Sequence, residues 1–227
     1  MLSYLTGTHP DILFDVHSCA CFSADLRMIH EKAIKRIVVK YLLGTADKGI
    51  ILDPLEPKGI ECFVDTGFAG DYVAERSHEP STLLSCTGYL IHLWNCLVIW
   101  QVSKMQTEIT LSTTEAEYVL SQAMRDVIPF LDFMKELSSH YDLKFDKPDI
   151  KCTLFEDSNG ALELVNQPKC HPWSKHIALT FHYFREHVKR SLVKILPIDS
   201  KEELADHFTK ALDMLTFEYQ RKGTMGW

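Results

Sequence analysis

The chain has 227 residues, 46% of them hydrophobic and 24% charged, with a mean hydropathy of -0.08. That leaves room for one sizeable core and excludes wholesale disorder and a bundle of membrane spans. Lys and Arg number 24 against 31 acids, a net charge of -7, which excludes a uniformly basic nucleic-acid binder but not a local basic patch. Seven cysteines without a Cys-x-x-Cys pair specify no zinc site. Most stand in apolar runs, as buried thiols in a reducing compartment do. The opening residues show no basic-then-apolar leader, so an intracellular protein is expected.

In chain order, residues 11–22, after Pro10, read as a first helix. Residues 26–43 place Leu26, Ile29, Ala33, Ile37 and Tyr41 at helical spacing, set Glu31 and Lys35 for an i,i+4 pair, and stop at Gly44. The stretch 44–59 carries Gly49, Pro54, Pro57 and Gly59 and reads as a linker or short hairpin. Residues 60–65, IECFVD, form a short β-type run ending on an acid. Thr87–Leu93 and Leu97–Ser103 are rich in β-formers, and Trp94-Asn95-Cys96 between them predicts a hairpin. Residues 112–137 open with Ser and Thr caps and Glu, the mark of a helix start. Their apolar stripe is Tyr118, Ala123, Val127, Phe130, Leu131 and Met134, and Pro129 should kink the helix. Trp100, Phe130 and Phe133 are assigned to the core.

A strand over 149–157, a short helix over 158–167 and a basic helix over 176–190 follow. A strand over 191–198 and a terminal helix over 201–212 complete the chain. From residue 60 the order is β-β-β-α-β-α-α-β-α. It predicts an α/β fold, a mixed sheet with helices on its faces.

Four acids stand out by position. Asp65 ends the first strand, Glu117 lies in the first turns of the long helix, Asp157 ends the fourth strand and Asp206 lies early in the last helix. If the first and fourth strands are parallel neighbours, Asp65 and Asp157 meet at their carboxyl ends, where functional groups collect. Converging carboxylates repel one another unless compensated, and the cheapest compensation is an oxygen-preferring divalent cation, Mg²⁺ or Mn²⁺. Two such ions roughly 4 Å apart are the apparatus of in-line phosphodiester hydrolysis. On position alone the same acids could be caps or solvated side chains. Glu115 competes with Glu117, since an acid near a helix N-terminus is often only a dipole partner.

YLTGTHPDILFDVH, HEKAIKRIVVKYLLGTADKGI, VDTGFAGD, SCTGYLI, WQVSKMQTEITLSTTEAEYV, FEDSNGALELVNQP, SKHIALTFHYFREHV and EELADHFTKAL occur in this order. Together they resemble the C-terminal end of copia-type retrotransposon Pol polyproteins, where the reverse transcriptase tail meets its ribonuclease H domain. The resemblance covers roughly residues 4–212. It implies a helical tail of the polymerase connection over 1–46, a linker over 47–58, a ribonuclease H-like domain over 59–212 and a C-terminal tail over 213–227. It implies a five-stranded sheet, three strands antiparallel and two more parallel to the first. The family's four-acid set falls on Asp65, Glu117, Asp157 and Asp206, as catalytic residues and as ligands of two Mg²⁺ or Mn²⁺ ions. Asp65 is expected to bridge both ions.

The activity implied is hydrolysis of the RNA strand of RNA–DNA hybrids. The partner implied is an upstream reverse transcriptase domain of the same polyprotein, with no membrane. The place implied is a cytoplasmic virus-like particle or the nucleus. Two positions depart from the family pattern, Gly67 and Phe68, where a second Asp and a Trp are common. They keep open an alternative, a decaying or domesticated fragment that at most binds nucleic acid.

Residues 169–194 hold six basic side chains against Glu186, leaving this stretch at +5 and the remainder at -12. Such a stretch can track phosphates or can be a solvated helix face. Lys175 and His176, which the family pattern repeats, are the sharper substrate contacts. Arg185, Lys104 after the third strand, and Ser158 and Asn159 beside Asp157 are the others. His171, His176, His182 and His187 are spaced poorly for zinc on one helical face.

Overall fold

The computed structural model describes residues 2–54, 59–67, 85–104, 112–141, 150–157 and 186–227, and for 103–104 and 112–118 the backbone alone. Five strands form one sheet: β1 Ile60–Gly67, β2 Cys86–Leu93, β3 Cys96–Lys104, β4 Cys152–Glu156 and β5 Val193–Pro197. Their order across the sheet is β3-β2-β1-β4-β5. β1 and β3 run antiparallel to β2, while β1, β4 and β5 are mutually parallel. This is the mixed, ribonuclease H-like sheet the sequence predicts. The hairpin turn is tighter than the three-residue reading. Trp94 and Asn95 both take positive φ, 52° and 68°, and Cys96 already pairs with Leu93. Two left-handed residues match the twist of the flanking strands.

Side chains alternate along each strand, and the two faces bury different partners. Ile60, Cys62 and Val64 of β1, Tyr89 and Ile91 of β2 and Leu154 of β4 pack with the long helix over Ser112–His140. Phe63 and Leu90 lie on the other face, with Ala205 and Phe208 and the partly buried Leu13, Trp100 and Phe155.

Helix α4 spans Ser112–His140 and continues through Pro129. Its buried face is wider than the stripe read from the sequence. Val119, Leu120, Met124 and Ile128 are buried beside Ala123, Val127, Leu131 and Met134. Phe130 packs at the margin, but Phe133 is 55% exposed. Its core assignment fails because Leu131 and Met134, on either side, take the inward positions.

The N-terminal residues form α1 Leu2–Leu5, a 3₁₀ turn Pro10–Ile12, α2 Leu13–Cys21 and α3 Met28–Lys35, which widens to a π-helical stretch over Arg36–Leu42. Glu31 and Lys35 make the i,i+4 pair, at 2.5 Å. Of the stripe on 26–43, Ile37 is buried while Leu26 and Ile29 are each 64% exposed. The stripe is covered at its C-terminal end, where Tyr41 meets Asp11 and Arg221.

The terminal helix over 201–212 is not continuous. Residues 200–205 are turns, and α5 is the single turn Asp206–Thr209. A new helix, α6, runs over Met214–Met225, capped by the Asp213 carboxylate on the Leu215 and Thr216 N–H groups. The interruption lets Glu203, Ala205, Phe208 and Thr209 all be buried, more than one side of a straight helix could bury. Met225 and Gln220 of α6 are buried too, and the Ile51 N–H reaches the Met225 carbonyl at 2.9 Å. The helix read over 158–167 and most of that over 176–190 lie outside the described residues; residues 186–189 are helical.

Candidate active site

Asp65 follows Phe63 by two residues on β1, so it projects from the face that carries Phe63. Val64 pairs with Glu156 across the parallel β1–β4 ladder, which sets Asp65 and Asp157 level at the carboxyl ends of adjacent strands. α5 lies over this face and brings Asp206. One carboxylate oxygen from each of Asp65, Asp157 and Asp206 lies within 4.8 Å of the others.

Two glycines let α5 approach. A Cβ on Gly88, which pairs with Asp65, would stand 2.8 Å from the Phe208 Cβ and 2.9 Å from the Thr209 Cγ2. A Cβ on Gly67 would stand 2.6 Å from the Thr209 carbonyl oxygen. Gly67 therefore has a packing reason in this chain, since a side chain there would drive α5 off the sheet.

Each acid is held by a neighbour. The Thr209 hydroxyl donates to Asp65, and the Ser200 hydroxyl donates to Asp157 Oδ2 at 2.8 Å. Lys210 Nζ donates to Asp65 Oδ1 at 3.1 Å and to Asp206 Oδ1 at 2.7 Å. Burial pushes the Asp65 carboxyl above the usual carboxylate range, and Lys210 partly offsets this. For Lys210 burial acts downward, but Asp65 and Asp206 outweigh it and hold the amine above its ordinary value, as an ammonium. The repulsion expected among converging acids is thus relieved in part by a lysine.

Behind the three acids, Glu203 is fully buried. Its Oε1 accepts from the Ala205 N–H at 2.9 Å. Burial pushes it well above the carboxylate range, and Asp65, Glu156 and Asp206 add to the push. His207 faces Phe208 and Phe217 and is lowered by burial to about 4, so it is neutral near pH 7.

Glu117 and Glu115 lie in the first turns of α4, with side chains outside the described residues. Lys104 ends β3 with its side chain likewise outside. Ser158, Asn159, Lys175, His176 and Arg185 all lie outside the described residues, as do His171, His182 and Phe68. Of the basic stretch, Lys189, Arg190 and Lys194 are described, and Arg190 pairs with Glu186 one turn earlier.

Sequence reasoning missed Lys210, Thr209, Ser200 and Glu203. Lys210 carries the clearest signal, since it stands four residues after Asp206 and so shares its helical face. The donor set is all carboxylate oxygen, the chemistry of a hard divalent cation rather than a soft one. Among the described residues no helix is long and apolar enough to cross a membrane.

No family model matches the chain. Over 222 residues, 97% of its length, it is 29% identical to the retrovirus-related Pol polyprotein from transposon RE2 of Arabidopsis thaliana. Over 212 residues, 93% of its length, it is 30% identical to that from transposon TNT 1-94 of Nicotiana tabacum. The chain spans 14% of the length of each. Among solved structures it is similar to the N-terminal RNase H domain of rv2228c from Mycobacterium tuberculosis, with 8% identity, a TM-score of 0.43, and coverage of 72% of this chain and 96% of that one. It is also similar to LC11-RNase H1 from compost, with 12% identity, a TM-score of 0.45, and coverage of 66% and 92%. The chain is therefore homologous, over nearly all its length, to the copia-type Pol region that its motifs resemble.

Proposed function

We propose that this chain is a ribonuclease H-like nuclease that hydrolyses the RNA strand of RNA–DNA hybrids with divalent metal, Mg²⁺ or Mn²⁺, in two sites. The observation that carries the reading is the convergence of Asp65, Asp157 and Asp206 at the carboxyl ends of parallel neighbours. The relation to transposon Pol polyproteins supports this substrate class, since reverse transcription leaves such hybrids.

Asp65, Asp157 and Asp206 would hold the metal, with Glu117 of α4 as the fourth ligand. When bound, divalent metal supplies Lewis-acid stabilisation of charge on the phosphate and a more acidic water. The protein's own part is to hold ligands still. Thr209 orients Asp65 and Ser200 orients Asp157, and such outer partners fix ligand geometry. His207, buried and neutral, carries no proton to the site. Lys175, His176, Arg185, Lys104, Ser158 and Asn159 are the proposed hybrid contacts. Residues 1–46 would continue into a polymerase domain of the same polyprotein.

A labelled RNA–DNA hybrid incubated with folded protein and Mg²⁺ or Mn²⁺ tests the reading. Cleavage of the RNA strand is expected. Asp65→Asn and Asp157→Asn should lower it by ~10³-fold, the equivalent of several kcal/mol of charge stabilisation. Absence of cleavage by folded wild type with either metal would establish the inactive-fragment alternative.

A further inference from the structure

The Lys210 ammonium stands in the wedge between Asp65 and Asp206, bonded to one oxygen of each. Asp157 is outside that contact and is held by Ser200 instead. The three acids are thus divided. Lys210 bridges the Asp65–Asp206 pair, whereas of the Asp65–Asp157 pair it touches Asp65 alone. Hard divalent ions need oxygen ligands at roughly 2.0–2.6 Å. An ion bridging Asp65 and Asp206 would compete with the ammonium for the same two oxygens and for the same negative charge.

We infer that Lys210 is a built-in counter-ion for the second cation position, so that the site accepts one divalent ion with Lys210 still in place and a second only by displacing it. The side chain has somewhere to go. It is 38% exposed while Asp65 is 3% exposed, and it borders a groove of about 1110 Å³ between the N-terminal helices and α6. Asp15 and Glu218 line the same groove, with Lys32, Arg36 and Arg221. The cost of withdrawing it from Asp65 and Asp206 is carried by the second ion alone. The device lets the buried acids stay folded without metal. It also ties loading of the second ion to conditions that favour it, such as a phosphate bringing further oxygen ligands.

The inference rests on the metal-binding reading above, and the experiment separates the two. Mn²⁺ is titrated into metal-free full-length protein and followed by electron paramagnetic resonance and calorimetry, without substrate. Wild type should bind one ion, with a second at least about tenfold weaker, the scale of an adjacent unit charge in a partly buried site. Lys210→Met, or Lys210→Gln should the first not fold, should bring the second ion within a few-fold of the first. In wild type titrated with diamagnetic Mg²⁺ instead, the ¹⁵Nζ resonance of Lys210 should persist through the first equivalent and shift with the second. A Lys210→Met isotherm that overlays wild type, with binding abolished by Asp65→Asn in both, overturns the counter-ion role and leaves the metal site standing. The same holds for an Nζ resonance that moves with the first ion. Asp65→Asn binding Mn²⁺ as wild type does would sink the metal site and the inference together.

Discussion

The two faces of the sheet are built differently. Among the described residues, one is covered chiefly by α4, whose apolar residues fill the larger core cluster with Ile60, Cys62, Val64, Ile91 and Leu154. The other is covered by short pieces from both ends of the chain: Leu13 of α2, Ile50, the turn residues Leu204 and Ala205, and Phe208 of α5. Asp65 projects from this second face, and Asp206 comes from the element that covers it. The first face is a stability device built from one long helix and the apolar strand residues beneath it. The second is an assembly that seats three carboxylates and a lysine, and it depends on contacts far apart in sequence.

The sharpest way to break this distinction is a pair of truncations of equal chemistry. Phe208→Ala and Leu131→Ala each remove a fully buried side chain. Phe208→Ala should cost about 3–5 kcal/mol and Leu131→Ala about 2–5 kcal/mol in urea denaturation. Only Phe208→Ala should also lower hybrid cleavage measured at a temperature where both variants remain folded, because α5 loses its anchor. Equal activity in the two folded variants would show that α5 is held by something other than the sheet.

Deleting residues 1–46 probes the same assembly from the chain's other end. The Thr6 carbonyl accepts from the Trp100 indole N–H at 2.8 Å. Tyr41 donates to the buried Asp11 at 2.5 Å and accepts from Arg221 at 3.1 Å. Arg221 in turn stacks on Trp227 at 3.9 Å. A helical segment expected to be a polymerase tail is thus bonded to β3 and to α6. The truncated chain should lose roughly the contribution of the two hydrogen bonds that cross to it, about 1–3 kcal/mol, and the apolar cover on Leu13's side besides. A truncation with wild-type melting behaviour would make residues 1–46 an appendage.

Gly88→Ala is a smaller change aimed at the same seat. The new Cβ meets a Cβ and a Cγ2 at under 3 Å, neither of them the far end of a flexible side chain. A displacement of α5 costing about 1–3 kcal/mol is expected, with the Mn²⁺ affinity of the acids reduced. Unchanged stability and metal binding would mean that α5 can slide without consequence.

The contrast between faces also explains what was legible in the sequence. The strands and a mixed sheet follow from residue pattern and from β/α succession, both short-range signals, whereas the strand arrangement that sets Asp65 beside Asp157 comes from the family resemblance. The α4 face follows from helical period, apart from Phe133, which a neighbouring pair of inward positions displaces. The break at Lys210–Asp213 is not legible, because KEELADHFTKAL has helical composition throughout. It is decided by tertiary burial of Glu203, Phe208 and Thr209 and by the Asp213 cap. Lys210 is quoted within the same motif, yet its pairing with Asp65 requires the close seat that Gly67 and Gly88 provide. That seat is a property of the folded sheet.

The subtlest expected effect concerns the buried titratable groups of the second face. His92 and His207 are both lowered by burial to about 4, against an ordinary value near 6.5. Between pH 4 and 6.5 the unfolded chain therefore binds more protons at these positions, and stability should rise with pH across that window and then level off. Glu203 acts oppositely. Its folded value is raised well above 4.5, so above pH 4.5 the folded state holds a proton that the unfolded chain releases. Its contribution should be full at acid pH and be lost as pH rises. Glu203→Gln keeps the acceptor for the Ala205 N–H and removes the titration. Its stability should approach that of wild type near pH 4.5 and exceed it progressively towards pH 8, by up to about 1.4 kcal/mol per pH unit. Asp65, also pushed up, is common to both proteins and cancels in the difference. Urea denaturation at half-unit steps in the presence of a chelator measures it. Parallel curves for the two proteins would mean that Glu203 is ionised in the fold, with Lys210 then compensating three acids rather than two.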